Sequence, residues 1–173
     1  MLFKSVLLIT LSIFFMKQNN DGIEEIRVEY IKAVENQDTA EKMLKKLSDS
    51  PNLSPLFLAY RGAFEGLMAK HVFNPYKKLS FLSLSNRTLA RAVAQKPNSV
   101  EIRFLRFSMQ HYLPDFLGQS KELKEDRIAI CKHIASDDEL TEKSREVVCR
   151  FMIDSKRCTS QEAEIFRNLL KKQ

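Results

Sequence analysis

The sequence has no tryptophan, and only 4 glycines, 5 prolines, 3 cysteines and 3 histidines in 173 residues. So little Gly and Pro excludes sandwiches and barrels, which need many tight turns. Without Trp, the 12 phenylalanines carry most of the aromatic packing. Cys131, Cys149 and Cys158 are odd in number and fit no zinc spacing, and His71, His111 and His133 are scattered. No metal and no cofactor are therefore expected. The cysteines have two readings: small buried apolar side chains, or one disulfide with a thiol left over if the compartment is oxidising. Beyond residue 16 no run is long and apolar enough to span a bilayer. The nucleophile elbow, His-Glu-x-x-His, phosphate loop and dinucleotide fingerprint are all absent, so no catalytic residue is assigned. The run Asp137-Asp138-Glu139 lacks calcium-loop spacing.

What is present suits a folded helical chain. Apolar residues make up 44%, enough for a hydrophobic core. The 28 basic and 22 acidic side chains give a net charge of +6. Lys and Arg alternate with Glu and Asp along most of the predicted helices, the pattern of a solvated surface. Nucleic-acid binders instead cluster their cations on one face, so no nucleic-acid partner is expected.

The N-terminus stands apart. Lys4 precedes Ser5–Met16, which carry no charge. One cation followed by about a dozen mostly apolar residues is the pattern of a secretory signal. The run is short for a transmembrane helix. Residues 1–20 read as a cleaved signal peptide, or as a retained anchor because no small-x-small site follows Phe14 and Phe15. A buried first helix is the third reading. No Cys follows for lipid attachment. Residues 21–173 read as a single domain that is exported: periplasmic, secreted or envelope-associated. Contact with a membrane is expected only through the N-terminal segment, if it is kept.

Helical periodicity runs through the rest. Helices are predicted over Gly22–Val34, from Asp38 (as cap) through Leu47, and over Pro55–Lys70 after Ser54. Asn74-Pro75 opens a fourth helix that reaches Gln95, with Leu79, Leu82, Leu89, Ala92 and Val93 inward. Ser99 caps a fifth over Val100–Tyr112. A sixth carries Leu123, Ile128, Ile130 and Ile134; Thr141 caps the seventh, and Ser160 the last. Ala59, Gly62, Ala63 and Gly66 put small residues along the third helix. Glycine there costs about 1 kcal/mol relative to Ala, which close approach of a neighbouring helix offsets. Short connectors make sequence neighbours antiparallel.

Leu89, Ala92 and then Pro97 resemble the second helix of a tetratricopeptide repeat, a likeness that covers residues 55–112. It departs in lacking the Gly–Tyr pair of the third helix and in a unit longer than about 34 residues. A second likeness rests on Ala59-Tyr-Arg-Gly-Ala-Phe64, Ala69-Lys-His-Val-Phe-Asn-Pro-Tyr-Lys-Lys-Leu79, Glu101–Phe107 and Pro114-Asp-Phe-Leu-Gly118. These segments are similar to an uncharacterised family of small exported or envelope-associated bacterial helical proteins. Together the resemblances imply an all-α chain of antiparallel helix pairs stacked in a tetratricopeptide-like superhelix, with about eight helices after the N-terminal segment.

The candidate site follows from the fifth helix. At 100° per residue, Arg103, Arg106 and Gln110 share one narrow sector. Ile102, Leu105, Met109 and Tyr112 lie on one flank, and Phe104, Phe107 and His111 on the other. A helix apolar on both flanks packs on both, leaving the Arg stripe in a groove. Arginine there suits a carboxylate or phosphate. The competing reading is that Arg103 and Arg106 pair with Glu65 or Asp115. Asn74 and Lys78, at the start of the fourth helix, are a second candidate for anion binding. The expected function is a non-enzymatic protein- or ligand-binding or scaffold protein of the cell envelope, its partner another envelope protein or peptide. The alternative is a small enzyme whose anionic substrate is held by Arg103 and Arg106, with His111 the one titratable group nearby.

Overall fold

Prolines and polar caps place the helix starts. The computed structural model describes residues 22–118 and 120–171, so the segment 1–20 lies outside the described residues. Among the described residues the chain is all-helical, with eight α-helices and no strand. They are α1 (22–33), α2 (Gln37–Ser48), α3 (Pro55–His71), α4 (Pro75–Gln95), α5 (Val100–His111), α6 (Leu123–His133), α7 (Glu142–Asp154) and α8 (Ser160–Leu170). A short 3-10 turn, Asp115–Leu117, lies between α5 and α6. None of these helices is long and apolar enough to cross a membrane.

Pro55 and Pro75 stand at the first helical position, where a missing N–H costs nothing. Asn74 Oδ1 accepts from the N–H groups of Tyr76 at 2.9 Å and Lys77 at 3.1 Å. Thr141 caps α7 as expected. Two caps fall elsewhere than the sequence suggests. Asn36, not Asp38, caps α2, accepting from Thr39 N–H at 2.8 Å; Asp38 sits in the first turn, where its charge suits the helix dipole. Thr159, not Ser160, caps α8, in a reciprocal box with Glu162. Ser99 gives α5 no side-chain cap; Asp137 Oδ2, from the α6–α7 turn, accepts from Val100 N–H at 2.8 Å instead.

The small residues of α3 do what their spacing implied. A Cβ on Gly62 would stand 2.8 Å from Leu89 Cγ, and one on Gly66 would stand 3.1 Å from Ser85 Oγ. Moving up α3 thus moves down α4, so the two are antiparallel and packed backbone to side chain. Ser85 Oγ donates to the Gly62 carbonyl at 2.7 Å and pins that register. Gly66 also faces Met109 of α5. Tyr60 meets Glu101 while Gly66 meets Met109, which makes α5 parallel to α3.

Two hydrophobic clusters result. The first joins α1 to α5 and includes Ile26, Met43, Phe64, Leu89, Ile102 and Leu105. The second joins α5 to α8 and includes Phe107, Ile130, Ile134, Val148, Met152 and Phe166. Helix α5 belongs to both, through its two apolar flanks. Leu79 was expected inward and is instead half-exposed. The reason is length. Gln110, at the end of α5, lies level with Asn86 of α4. The eleven residues before Asn86 therefore run about 16 Å further than α5 reaches.

Candidate functional site

Arg103 and Arg106 come together as their spacing requires, and they are buried at 8% and 5% exposure. Their partner is Asp126 of α6, which has no exposed surface. Arg106 donates from Nε to Asp126 Oδ2 and from Nη2 to Oδ1, both at 2.7 Å, the two-pronged geometry a guanidinium prefers. Arg103 Nη1 donates to Asp126 Oδ1 at 2.9 Å and also to Glu125, while its Nε donates to the Pro97 carbonyl at 2.8 Å. Burial alone would lower the Arg106 pKa; the hydrogen bonds and charge of Asp126, with Glu125 behind it, more than reverse this and hold it above its ordinary value. The Arg103 hydrogen bond holds the Glu125 carboxyl below the usual range. Asp126 thus sits where an external carboxylate would have to sit.

The carboxylates that take the Arg pair are Asp126 and Glu125, about a helix-turn-helix away in sequence, and not Glu65. Glu65 Oε1 accepts from Arg61 Nε at 3.1 Å, and its Oε2 is buried without a hydrogen-bond partner. The Asp115 side chain lies outside the described residues. Gln110 follows the Arg pair along the same seam, donating to Glu122 Oε2 at 2.7 Å and to Asn86 Oδ1 at 3.4 Å. His111 is turned away onto the other flank. Its Nδ1 accepts from Arg157 Nε at 2.9 Å, so the imidazole is neutral there. Burial, and then the Arg157 charge, push its pKa below the ordinary value. The sequence put His111 on the Phe104 and Phe107 flank beside the Arg stripe; in the structure it lies there against Phe107 and Phe151, with Arg157 and not the stripe as its polar partner.

A cleft of about 470 Å³ opens at the other end of α5, between α1 and the α6–α7 turn. Carboxylates dominate its wall: Glu24, Glu101, Asp137, Asp138 and Glu139. Most are committed. Glu101 accepts from Arg27 Nε at 2.8 Å and Tyr60 Oη at 2.7 Å, and Glu139 pairs with Lys96. Burial, followed by the charge and hydrogen bond of Glu101, raises the Tyr60 pKa well above the usual phenol value. The cleft wall carries no His, Cys or Lys.

The three cysteines are thiols. Cys149 is buried in the second cluster, where loss of solvent pushes its pKa up to about 11. Cys131 and Cys158 meet between α6 and the α7–α8 turn. The hydrogen bond with Cys158, then burial, raises the Cys131 thiol above its ordinary range.

Asn74 and Lys78 lie on the part of α4 that outreaches α5. Asn74 already satisfies the first N–H groups of the helix, so the helix start itself is occupied. Its surroundings are another matter. Every residue from Phe73 to Ser80 is exposed. Between Glu65 and Glu101 the chain has no acidic residue, while Lys70, Lys77, Lys78, Arg87, Arg91 and Lys96 supply six cations. That stretch alone accounts for the net charge of +6. Lys70 pairs with Glu35 and Lys96 with Glu139. Lys77, Lys78, Arg87 and Arg91 are exposed and make no ion pair among the described residues. Reading charge helix by helix as an alternation passed over this run. Counting acids in a sliding window would have found it.

No family model, curated protein or solved structure matches this chain. The residues themselves therefore carry the functional argument, and the strongest of them lie on α4.

Proposed function

We propose that this chain is a non-enzymatic binding or scaffold protein of the cell envelope that engages an anionic partner through the outer face of α4. One observation carries the reading: four exposed cations of α4 are left without a counter-charge by a fold that pairs most of its other arginines. Arg87, Arg91 and Lys77 fall within about 80° of one another around the helix, and cations so grouped attract a partner of the other sign and speed its approach. The envelope location rests on the uncharged N-terminal run and on the resemblance to small exported helical proteins.

The reading includes a tetratricopeptide-like arrangement of the helix pairs. Contacts between successive odd-numbered helices, α3 with α5 and α5 with α7, and between α6 and α8, support it. In such an array α4 is the second helix of its pair, with its free side turned outward.

The test is retention of the full chain on native envelope fractions at rising salt. It runs beside a Lys77→Gln, Lys78→Gln, Arg87→Gln, Arg91→Gln variant that keeps its helical circular dichroism. Wild type should be retained at low salt and released as screening rises, and the variant should be retained at least about tenfold more weakly. Equal retention of the two would sink the reading.

A further inference from the structure

The shape and chemistry of α4 narrow the partner further. Tyr76, Arg87 and Arg91 fall within about 60° of one another around the helix and extend along about 23 Å of it. The outward positions beside them are Ser80, Ser83, Ala90 and Ala94, all exposed. Small residues leave the face flat, so the long cationic side chains reach furthest from it. Such a face meets many anions spread over a plane better than it grips one carboxylate in a pocket.

The exposed end of α4 adds what a purely electrostatic partner would not use. Phe73 is fully exposed and Tyr76 is 83% exposed, with Leu79 half-exposed one turn on. Lys77 and Lys78 lie between them. These side chains protrude because α4 runs beyond α5, so no neighbouring helix covers them. An apolar tip set among lysines, at the end of an acid-free basic face, is suited to an interface that is charged outside and greasy just beneath.

We infer that the outer face of α4, with its protruding start, docks on an anionic lipid bilayer, with Phe73, Tyr76 and Leu79 entering the headgroup layer and Lys77, Arg87 and Arg91 facing lipid phosphates. This rests on α4 being the binding face, as proposed above. A protein or nucleic-acid partner would need its own apolar patch or unstacked bases placed at the tip to cover the three apolar side chains. A bilayer answers both the cations and the tip. The lack of any acid from residue 66 to residue 100 removes the repulsion an anionic surface would otherwise meet.

The absence of tryptophan makes a clean test possible. Phe73→Trp in the full chain places a single reporter on the tip, and Ile128→Trp places one on a half-exposed site of α6. Each is mixed with vesicles of phosphatidylglycerol and phosphatidylcholine in equal parts, and with phosphatidylcholine alone. The tip reporter should shift to the blue and be quenched by acyl-brominated lipid on the anionic vesicles only, and the α6 reporter should do neither. Adding Arg87→Gln and Arg91→Gln to the tip reporter should weaken the shift by about tenfold or more. An N-terminal segment entering the bilayer would not reproduce this difference between the two reporters. The proposal fails if the tip reporter does not move, moves equally on neutral lipid, or moves only with an acidic protein or nucleic acid. If envelope retention still depends on the four cations while vesicles leave the tip reporter unmoved, the bilayer is overturned and the anionic-partner reading stands. If both responses vanish, both fall.

Discussion

Asp126 has no exposed surface and answers two guanidiniums, which makes it the most consequential single side chain in the molecule. Removing it leaves two buried guanidiniums with only the exposed Glu125 as a counter-charge. Asp126→Ala should therefore cost about 3–5 kcal/mol in urea unfolding, the range for breaking a buried pair from one side. Replacing both halves of the two-pronged pair, as Arg106→Met with Asp126→Leu, should cost less than the single change, because only Arg103 then remains, still answered by Glu125 and the Pro97 carbonyl. A loss under about 1 kcal/mol for Asp126→Ala would mean the network is not holding α5 to α6. His111 carries a different dependence. Its pKa is lowered in the folded chain by burial and by Arg157, so below its ordinary value near 6.5 the unfolded chain takes up the proton more readily. This contribution to stability is fully present above that value and is lost as pH falls toward the lowered one. The urea midpoint of wild type should thus drop more between pH 7.5 and pH 5.5 than that of His111→Gln; parallel curves would remove His111 from the account. The sequence showed that Arg103 and Arg106 share a stripe, because three and four residues is a local spacing. It could not show Asp126 opposite them, because that depends on where α6 starts after an irregular connector.

At the scale of the element, α3 and α4 show how much a helix pattern can tell. The small residues of α3 announced a close neighbour, and the neighbour is there. The two glycines are nonetheless unequal. A Cβ on Gly62 would meet Leu89 at its Cγ, 2.8 Å away, and at its backbone N, 3.1 Å away; backbone cannot step aside. A Cβ on Gly66 would meet the far end of Met109, a flexible group that can swing. Gly62→Ala should therefore destabilise by about 1–3 kcal/mol despite the better helix propensity of Ala, whereas Gly66→Ala should come out near neutral. Denaturant midpoints decide it, and the reverse order would show that α4 is free to slide along α3. Leu79 marks the opposite limit of the pattern. Its spacing matches Leu82, Leu89 and Val93, and spacing predicts which face a residue shares. Whether another helix is long enough to cover that face is a property of the neighbour, and α5 ends too soon.

For the whole molecule, the question is whether two hydrophobic clusters make two units. Helix α5 argues that they do not. Its Ile102 and Leu105 are buried in the first cluster, and its Val100 and Phe107 in the second. The same helix holds Arg27 and Tyr60 through Glu101 on one side and Asp126 through its arginines on the other. Loosening either cluster therefore strips α5 of half its support and exposes the other. Phe64→Ala in the first cluster and Phe107→Ala in the second should each cost about 3–5 kcal/mol. Both should move one and the same unfolding transition, with helical circular dichroism and tyrosine fluorescence still coinciding. A Phe107→Ala variant that melts in two steps, with α1 to α4 surviving the first, would show that α5 is a linker and not a shared wall. The sequence hinted at the shared wall through the two apolar flanks of α5, the one feature of the candidate site that needed no distant partner to be read. A single cooperative body also gives the outer face of α4 a rigid backing, so that its cations would meet a partner as a fixed array at no further cost in chain ordering.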